Sequence, residues 1–155
     1  MKKFSFILNI VLIAIIAFGA YKFIIEGSVE EADDGRTSIL LTDGERDFVL
    51  GEMRGFLEAA QGIVTAISED DMVAVAHLST AVGSGAIGGE TAALMGKLPL
   101  EFKTLGMATH ALFDDLATTA STGDAKAVTA QLGVLMQNCT GCHAGYRFDT
   151  ETAGG

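Results

Sequence analysis

One long apolar run near the N-terminus constrains this chain more than any other feature. Residues 4–21 include no charged side chain, and the apolar character resumes after Lys22 and reaches Ile25. A run of about 20 apolar residues has the length of a helix that crosses the hydrocarbon core of a bilayer. The sequence therefore predicts one N-terminal transmembrane helix, an anchor over residues 1–26.

The charges on either side of the apolar run predict its orientation. Lys2 and Lys3 precede it. Five acidic residues follow it closely: Glu26, Glu30, Glu31, Asp33 and Asp34. Basic residues favour the cytoplasmic side, so we expect a single-pass protein of the inner (cytoplasmic) membrane with its main domain in the periplasm. A cleaved signal peptide is the alternative, because Ala17-Phe18-Gly19 offers a small-residue cleavage site. Both alternatives export the domain.

The exported part of the chain is strongly acidic. From Gly27 onward nineteen Asp and Glu residues stand against seven Lys and Arg residues, since one of the 20 acidic and three of the 10 basic residues precede that point. Because there is no basic patch, nucleic acid is not expected as a partner. Two explanations of the acidity stay open: solubility, and steering towards a basic surface on a partner protein.

Residues 27–42, GSVEEADDGRTSILLT, mix glycine, acidic and small residues, and we expect them to form a flexible tether. A helical pattern begins after them. Thr42 and Glu45 have the spacing of a capping box. Apolar residues then recur three or four positions apart: Leu50, Met53, Leu57, Ala60, Val64 and Ile67. This periodicity predicts a first helix over residues 43–68.

The remaining sequence predicts three further helices. The second covers about 70–82 and ends at the glycine-rich stretch 83–89, because glycine raises the entropic cost of continuing a helix. A short helical piece over 91–96 leads to Pro99, which marks the start of the third helix, and STGD at 121–124 separates that helix from a fourth over 124–148. No strand-like alternation is seen. We therefore predict an all-α fold, an antiparallel four-helix bundle over 43–148, followed by a tail over 149–155.

Both cysteines of the chain lie in one short motif, Cys139-Thr140-Gly141-Cys142-His143. C-x-x-C-H is the attachment signature of c-type haem. Positions i, i+3 and i+4 share one face of a helix, so two thiols can form thioethers with one porphyrin while the imidazole reaches its iron. The motif predicts a single covalent haem c, attached through Cys139 and Cys142, with His143 as the proximal axial ligand.

Three other uses of the two thiols are less favoured. A disulfide between cysteines three residues apart closes a small loop and stabilises little. A thioredoxin-like redox pair lies near a βαβ unit, which this pattern lacks. A structural zinc ion needs four ligands, and no second Cys and His cluster supplies them.

The ending CTGCHAGYRF resembles that of the class II c-type cytochromes, which comprise cytochrome c' and its low-spin, methionine-ligated relatives. In that family the C-x-x-C-H motif lies on the fourth helix and is followed by an aromatic and a basic residue, which Tyr146 and Arg147 match. The resemblance covers residues 43–148 and implies a four-helix bundle. The N-terminal anchor is not a general feature of the family. Relatives are often dimers through their first two helices, so a homodimer stays open.

The resemblance also implies a candidate for the sixth iron ligand. In low-spin relatives it is a methionine early in the first helix, a place that Met53 occupies. The alternative for Met53 is a flexible core side chain. His77 and His110 are the rival ligands, although each is also explained as a partly exposed or hydrogen-bonded helix histidine. With no sixth ligand the iron would be five-coordinate, as in cytochrome c' itself.

Three arginines are candidates for contact with a haem propionate. Arg147 follows His143 by one turn, and its alternative is a solvated helix end that the helix dipole favours. Arg46 and Arg54 on the first helix are the other two candidates.

These features give two hypotheses about function. The first is a membrane-anchored single-electron carrier with His and Met ligation, whose partners are redox proteins, membrane electron-transfer complexes among them. The alternative is a five-coordinate haem protein that binds NO or CO. No nucleophile with a neighbouring base is evident, so we do not expect an enzyme.

Overall fold

The computed structural model describes residues 2–151, and the predicted four-helix bundle is present. Helix α1 (Lys2–Ala20) continues as a π-helical segment (Tyr21–Glu26). The other helices are α2 (Asp43–Ser68), α3 (Met72–Ala81), α4 (Gly89–Leu94), α5 (Leu100–Ala120) and α6 (Ala125–Gly145). The strands are β1 (Val29–Glu31), β2 (Thr37–Leu41) and β3 (Tyr146–Thr150). Met1 and residues 152–155, the end of the predicted tail, lie outside the described residues.

Helices α2, α3, α5 and α6 form the bundle. Side-chain caps mark the start of α2, α3 and α6, whereas α5 begins directly after Pro99. The Thr42 side chain accepts from the Glu45 N–H and the Glu45 carboxylate accepts from the Thr42 N–H, which completes the predicted capping box. The side-chain carboxylates of Asp71 and Asp124 accept from backbone N–H groups in the first turns of α3 and α6, and so cap these two helices. Three-residue and four-residue connections at 69–71 and 121–124 make each joined pair antiparallel.

Two apolar clusters hold the domain together. The first fills the bundle between its four helices, around the fully buried side chains of Ile63, Phe113, Leu116 and Val128. The second lies at the end of the bundle where α2 and α5 begin and α6 ends. It is built from Ile39, Leu41, Val49, Leu94, Leu98 and Phe102.

Residues 27–42, expected to be a flexible tether, are instead part of the domain. Strand β2 lies between β1, to which it is antiparallel, and β3, to which it is parallel. Ile39 and Leu41 point into the second cluster and are fully buried. The prediction failed because β2 pairs with β3 from the other end of the chain, and local sequence carries no sign of that partner.

The fourth helix is shorter than predicted. It ends at Gly145, and the chain continues as β3 through Thr150, so residues 146–148 are strand and the predicted tail begins inside β3. Pairing with β2 and packing of Phe102 against the rings of Tyr146 and Phe148, at centroid distances of 5.4 and 5.5 Å, stabilise the extended form. The sequence analysis found no strand-like alternation, and this sheet corrects it.

The N-terminal helix is long and apolar enough to cross a membrane. Its apolar stretch, Phe4–Glu26, has a mean hydropathy of 2.3, and none of its most apolar window is buried in the domain. A membrane span and a signal sequence both have these properties.

Candidate functional site

A cavity of about 490 Å³ opens between α2, α5, α6 and the segment that joins α4 to α5. Its walls are mostly apolar. They include all four side chains for which the sequence predicts a cofactor role: Met53, Cys139, Cys142 and His143. Buried apolar cavities of about 300–1,000 Å³ are typical of cofactor sites. The structure therefore brings the predicted site residues together at one cavity.

The C-x-x-C-H motif lies on the last two turns of α6. Cys139 and Cys142 are both free thiols; Cys139 is exposed and Cys142 is half-buried in the cavity wall. Burial raises the pKa of the Cys142 thiol to about 11, and the neighbouring Cys139 contributes in the same direction. His143 is exposed at the cavity rim. The motif thus offers two thiols and an imidazole along one side of the cavity.

Met53 lies on α2 and lines the same cavity as the motif. It packs against the second apolar cluster, as Cys142 does from α6. Three other methionines also line the cavity, namely Met95, Met107 and Met136. Met136 and Met107 are about half exposed, whereas Met53 is partly buried. Met72 instead packs against the bundle core at the start of α3.

The two rival histidines lie in different environments. His77 is exposed on α3 and is not part of the cavity wall. His110 is buried and does line the cavity, but its Nδ1 lies 2.9 Å from the carbonyl oxygen of Val82. Because a carbonyl can only accept, Nδ1 donates this hydrogen bond. The imidazole also packs edge-on against the ring of Phe56, with centroids 4.9 Å apart.

The three arginine candidates differ in position. Arg54 is exposed and lines the cavity, whereas Arg46 does not line it. Arg147 is paired with Asp149 at 2.8 Å and lies 3.6 Å from Asp34. Arg54 is therefore the arginine whose position suits a propionate at the cavity mouth.

The sequence analysis missed Arg36, which lies in the turn between β1 and β2. Its Nη1 donates to the backbone carbonyls of His143 and Tyr146, each at 3.4 Å. His143 lies in the last turn of α6, where helix carbonyls lack partners within the helix, and Tyr146 is the residue that directly follows the helix. Asp34 holds the guanidinium through contacts of 3.0 and 2.7 Å. No local signal predicts a contact between residues 107 positions apart.

The residues present fit a c-type haem. The motif supplies the two thiols and the imidazole, and the facing helices supply apolar walls and a thioether sulfur. Within residues 2–151, no group of three or more His, Cys, Asp or Glu side chains is arranged to hold a metal ion.

Part of the chain matches a known family. Residues 90–147 match the model of the family described as cytochrome C'. The matched segment includes α5, α6 and the whole C-x-x-C-H motif. Searches of curated proteins and of solved structures gave no match. The matched segment is 58 of the 155 residues, and together with the bundle and the motif on its last helix it supports a class II c-type cytochrome, a family that implies a c-type haem.

Proposed function

We propose that this protein is a single-electron carrier with one covalent haem c, held in the inner membrane by α1 with its haem domain in the periplasm. Cys139 and Cys142 form the thioether bonds, and His143 and Met53 are the axial ligands. The observation that carries the proposal is the shared cavity, since its walls include all four side chains. The haem, when bound, supplies a reversible one-electron change at its iron.

The surrounding residues have a supporting role in this proposal. Leu94, Leu98 and Phe102 are buried beside the cavity and exclude water from one of its walls. Exclusion of water and a methionine opposite the histidine both influence the potential, and methionine raises it relative to a second histidine. Because the chain needs to supply only ligands and environment, we do not propose an enzyme.

Substitution of Met53 tests the ligand set. Met53→Ala is expected to change a low-spin visible spectrum into a high-spin spectrum that responds to CO, because loss of the sulfur opens the sixth position of the iron. Met136→Ala is the matched control, since Met136 also lines the cavity but lies on α6 one turn before Cys139. An unchanged low-spin spectrum in Met53→Ala would mean that another residue binds the iron.

The second candidate function is binding of NO or CO at a five-coordinate iron. It is favoured by the family match itself, because the matching model is that of cytochrome C'. In this case wild-type protein gives a high-spin spectrum and binds CO at once. Met53→Ala then leaves the spectrum unchanged, which separates the two candidates.

The proposed partners are redox proteins, including electron-transfer complexes of the same membrane. The acidic domain does not suit nucleic acid. A homodimer through α2 and α3 is a further proposal, supported by the exposed apolar side chains of Val64 and Val73 on those helices. Light scattering of the detergent-solubilised holoprotein measures its mass, and a monomeric mass would contradict the dimer.

A further inference from the structure

The end of the N-terminal helix is bonded to one wall of the cavity. Gly27 is buried and has a φ of 72°, and its N–H donates to the carbonyl of Lys22. A Cβ at this position would lie 2.7 Å from the carbonyl carbon of Leu98 and from the nitrogen of Pro99, with the Lys97 carbonyl oxygen closer still. The next residue, Ser28, donates its N–H to that same carbonyl oxygen at 2.7 Å. The backbone of Gly27 and Ser28 is thus in direct contact with the backbone of residues 97–99.

A lysine reinforces this junction. The Lys103 ammonium donates to the carbonyl of Ile24 at 2.8 Å and to the carbonyl of Met95 at 3.0 Å. A cation at the carboxyl end of a helix is favoured by the helix dipole. Both of these contacts are to neutral carbonyls, so the positive charge at this point is not neutralised by them.

The segment in contact with the helix end is also a wall of the cavity. Met95, Leu98, Phe102 and Lys103 line the cavity, and all four lie between α4 and the first turn of α5. We call residues 95–103, together with residues 21–28, the junction surface. It links the exit of the N-terminal helix to the proposed haem site without an intervening flexible segment.

The composition of the junction surface suits the boundary between a membrane and water. The apolar stretch Phe4–Glu26 is about 35 Å long at about 1.5 Å per residue, against about 30 Å for a hydrocarbon core. A helix of this length that spans the bilayer would have its end at the headgroup level. Tyr21, Phe23 and Leu100 are exposed there, and aromatic residues are enriched at that level. Three lysines, Lys22, Lys97 and Lys103, lie at this surface of an otherwise acidic domain.

We propose that the junction surface lies against the phospholipid headgroups, so that the haem domain stands on α1 in a fixed orientation with its cavity wall at the membrane surface. The Lys103 ammonium, whose contacts with Ile24 and Met95 are to neutral carbonyls, meets headgroup phosphates, while Tyr21, Phe23 and Leu100 lie at the apolar boundary. This inference rests on the proposed anchoring by α1. A domain on a flexible tether would move freely above the membrane. In the orientation proposed here, the haem site instead stays close to electron donors and acceptors of the same membrane.

The inference is tested with the full-length holoprotein in phosphatidylcholine nanodiscs that contain a phospholipid with a photoreactive diazirine in its headgroup. After illumination, mass spectrometry maps the modified peptides. Adducts are expected in residues 95–103 at a yield several-fold above those at 69–71 and 121–124, the turns at the opposite end of the bundle. Equal yields at both ends would overturn the fixed orientation.

A pair of glycine variants isolates the junction. Gly27→Ala and Gly35→Ala both place a side chain at a positive φ, of 72° and 80°, but a Cβ at Gly35 meets nothing within 4 Å. We expect Gly27→Ala to give similar adduct yields in residues 95–103 and in the turns at the opposite end of the bundle. Gly35→Ala is expected to keep the higher yield in residues 95–103 that the wild type shows. Similar patterns in the two variants would contradict the role of the junction.

Two readouts separate this inference from the proposals on which it rests. The intact mass shows whether residues 1–26 are retained, and their loss would overturn both the anchoring and the orientation. The visible spectrum reports the axial ligands independently of orientation. A retained helix, a low-spin spectrum and evenly spread adducts would overturn the orientation alone.

Discussion

At the scale of single residues, the ion pair between Asp34 and Arg36 supports the end of the helix that carries His143. Arg36 binds the carbonyls of His143 and Tyr146, and Asp34 fixes the guanidinium. The hydrogen bonds from Arg36 lower the pKa of the Asp34 carboxyl from 3.8 to about 2. We therefore expect protonation of the exposed Asp34 carboxylate to weaken the contacts that Arg36 makes with the end of α6.

This link predicts a pH dependence of stability. Because the pKa of Asp34 is lower in the folded protein, its contribution is fully present above the unfolded value and is lost as the pH falls through about 4 to about 2. Asp34→Asn is expected to be less stable than wild type above this range, and the difference should shrink within it. Denaturant unfolding, followed by circular dichroism at several pH values, measures the free energy of unfolding of the wild type and of Asp34→Asn.

Asp33→Asn is the control for this prediction, since it changes the net charge equally at the neighbouring position. A difference between wild type and Asp34→Asn that stays constant from about pH 5 down to about pH 2 would contradict the linkage.

At the scale of elements, what the sequence predicted depended on how far apart the interacting residues are. Helix α2 has its predicted bounds because its capping box and apolar periodicity are local. The C-x-x-C-H motif was equally recognisable because its five positions are contiguous. The pairing of β2 with β3 was missed because Ile39 pairs with Phe148, far along the chain, and the Arg36 contacts were missed for the same reason. The pairing of β1 with β2 is local, but β1 has only three residues, two of them exposed glutamates, and shows no apolar alternation.

Ile39 provides a test of whether β2 is structural. Ile39→Ala is expected to lower the free energy of unfolding by about 2–5 kcal/mol, because a fully buried side chain would leave a cavity in the second apolar cluster. Glu30→Ala on exposed β1 is the control and should change it by less than about 0.5 kcal/mol. Equal, small effects would mean that residues 27–42 act as a tether after all.

At the scale of the whole molecule, direct contacts connect the N-terminal helix to the sheet and to the cavity. The helix end contacts the cavity wall through Gly27 and Lys103, and the sheet joins the following residues to the strand after the motif. The bundle core includes Ile63 and Phe113, and Phe113 also lines the inner end of the cavity. The end of the domain nearest α1 thus carries the proposed haem site, and the opposite end carries much of the packing.

We propose that one haem is bound by His143 and Met53 and carries single electrons. The visible spectrum of the reduced holoprotein, recorded before and after addition of CO, tests this proposal. We expect a low-spin spectrum with a sharp alpha band that CO leaves unchanged, because both axial positions are filled. A high-spin reduced spectrum that shifts at once with CO would contradict it and would indicate an open, gas-binding site.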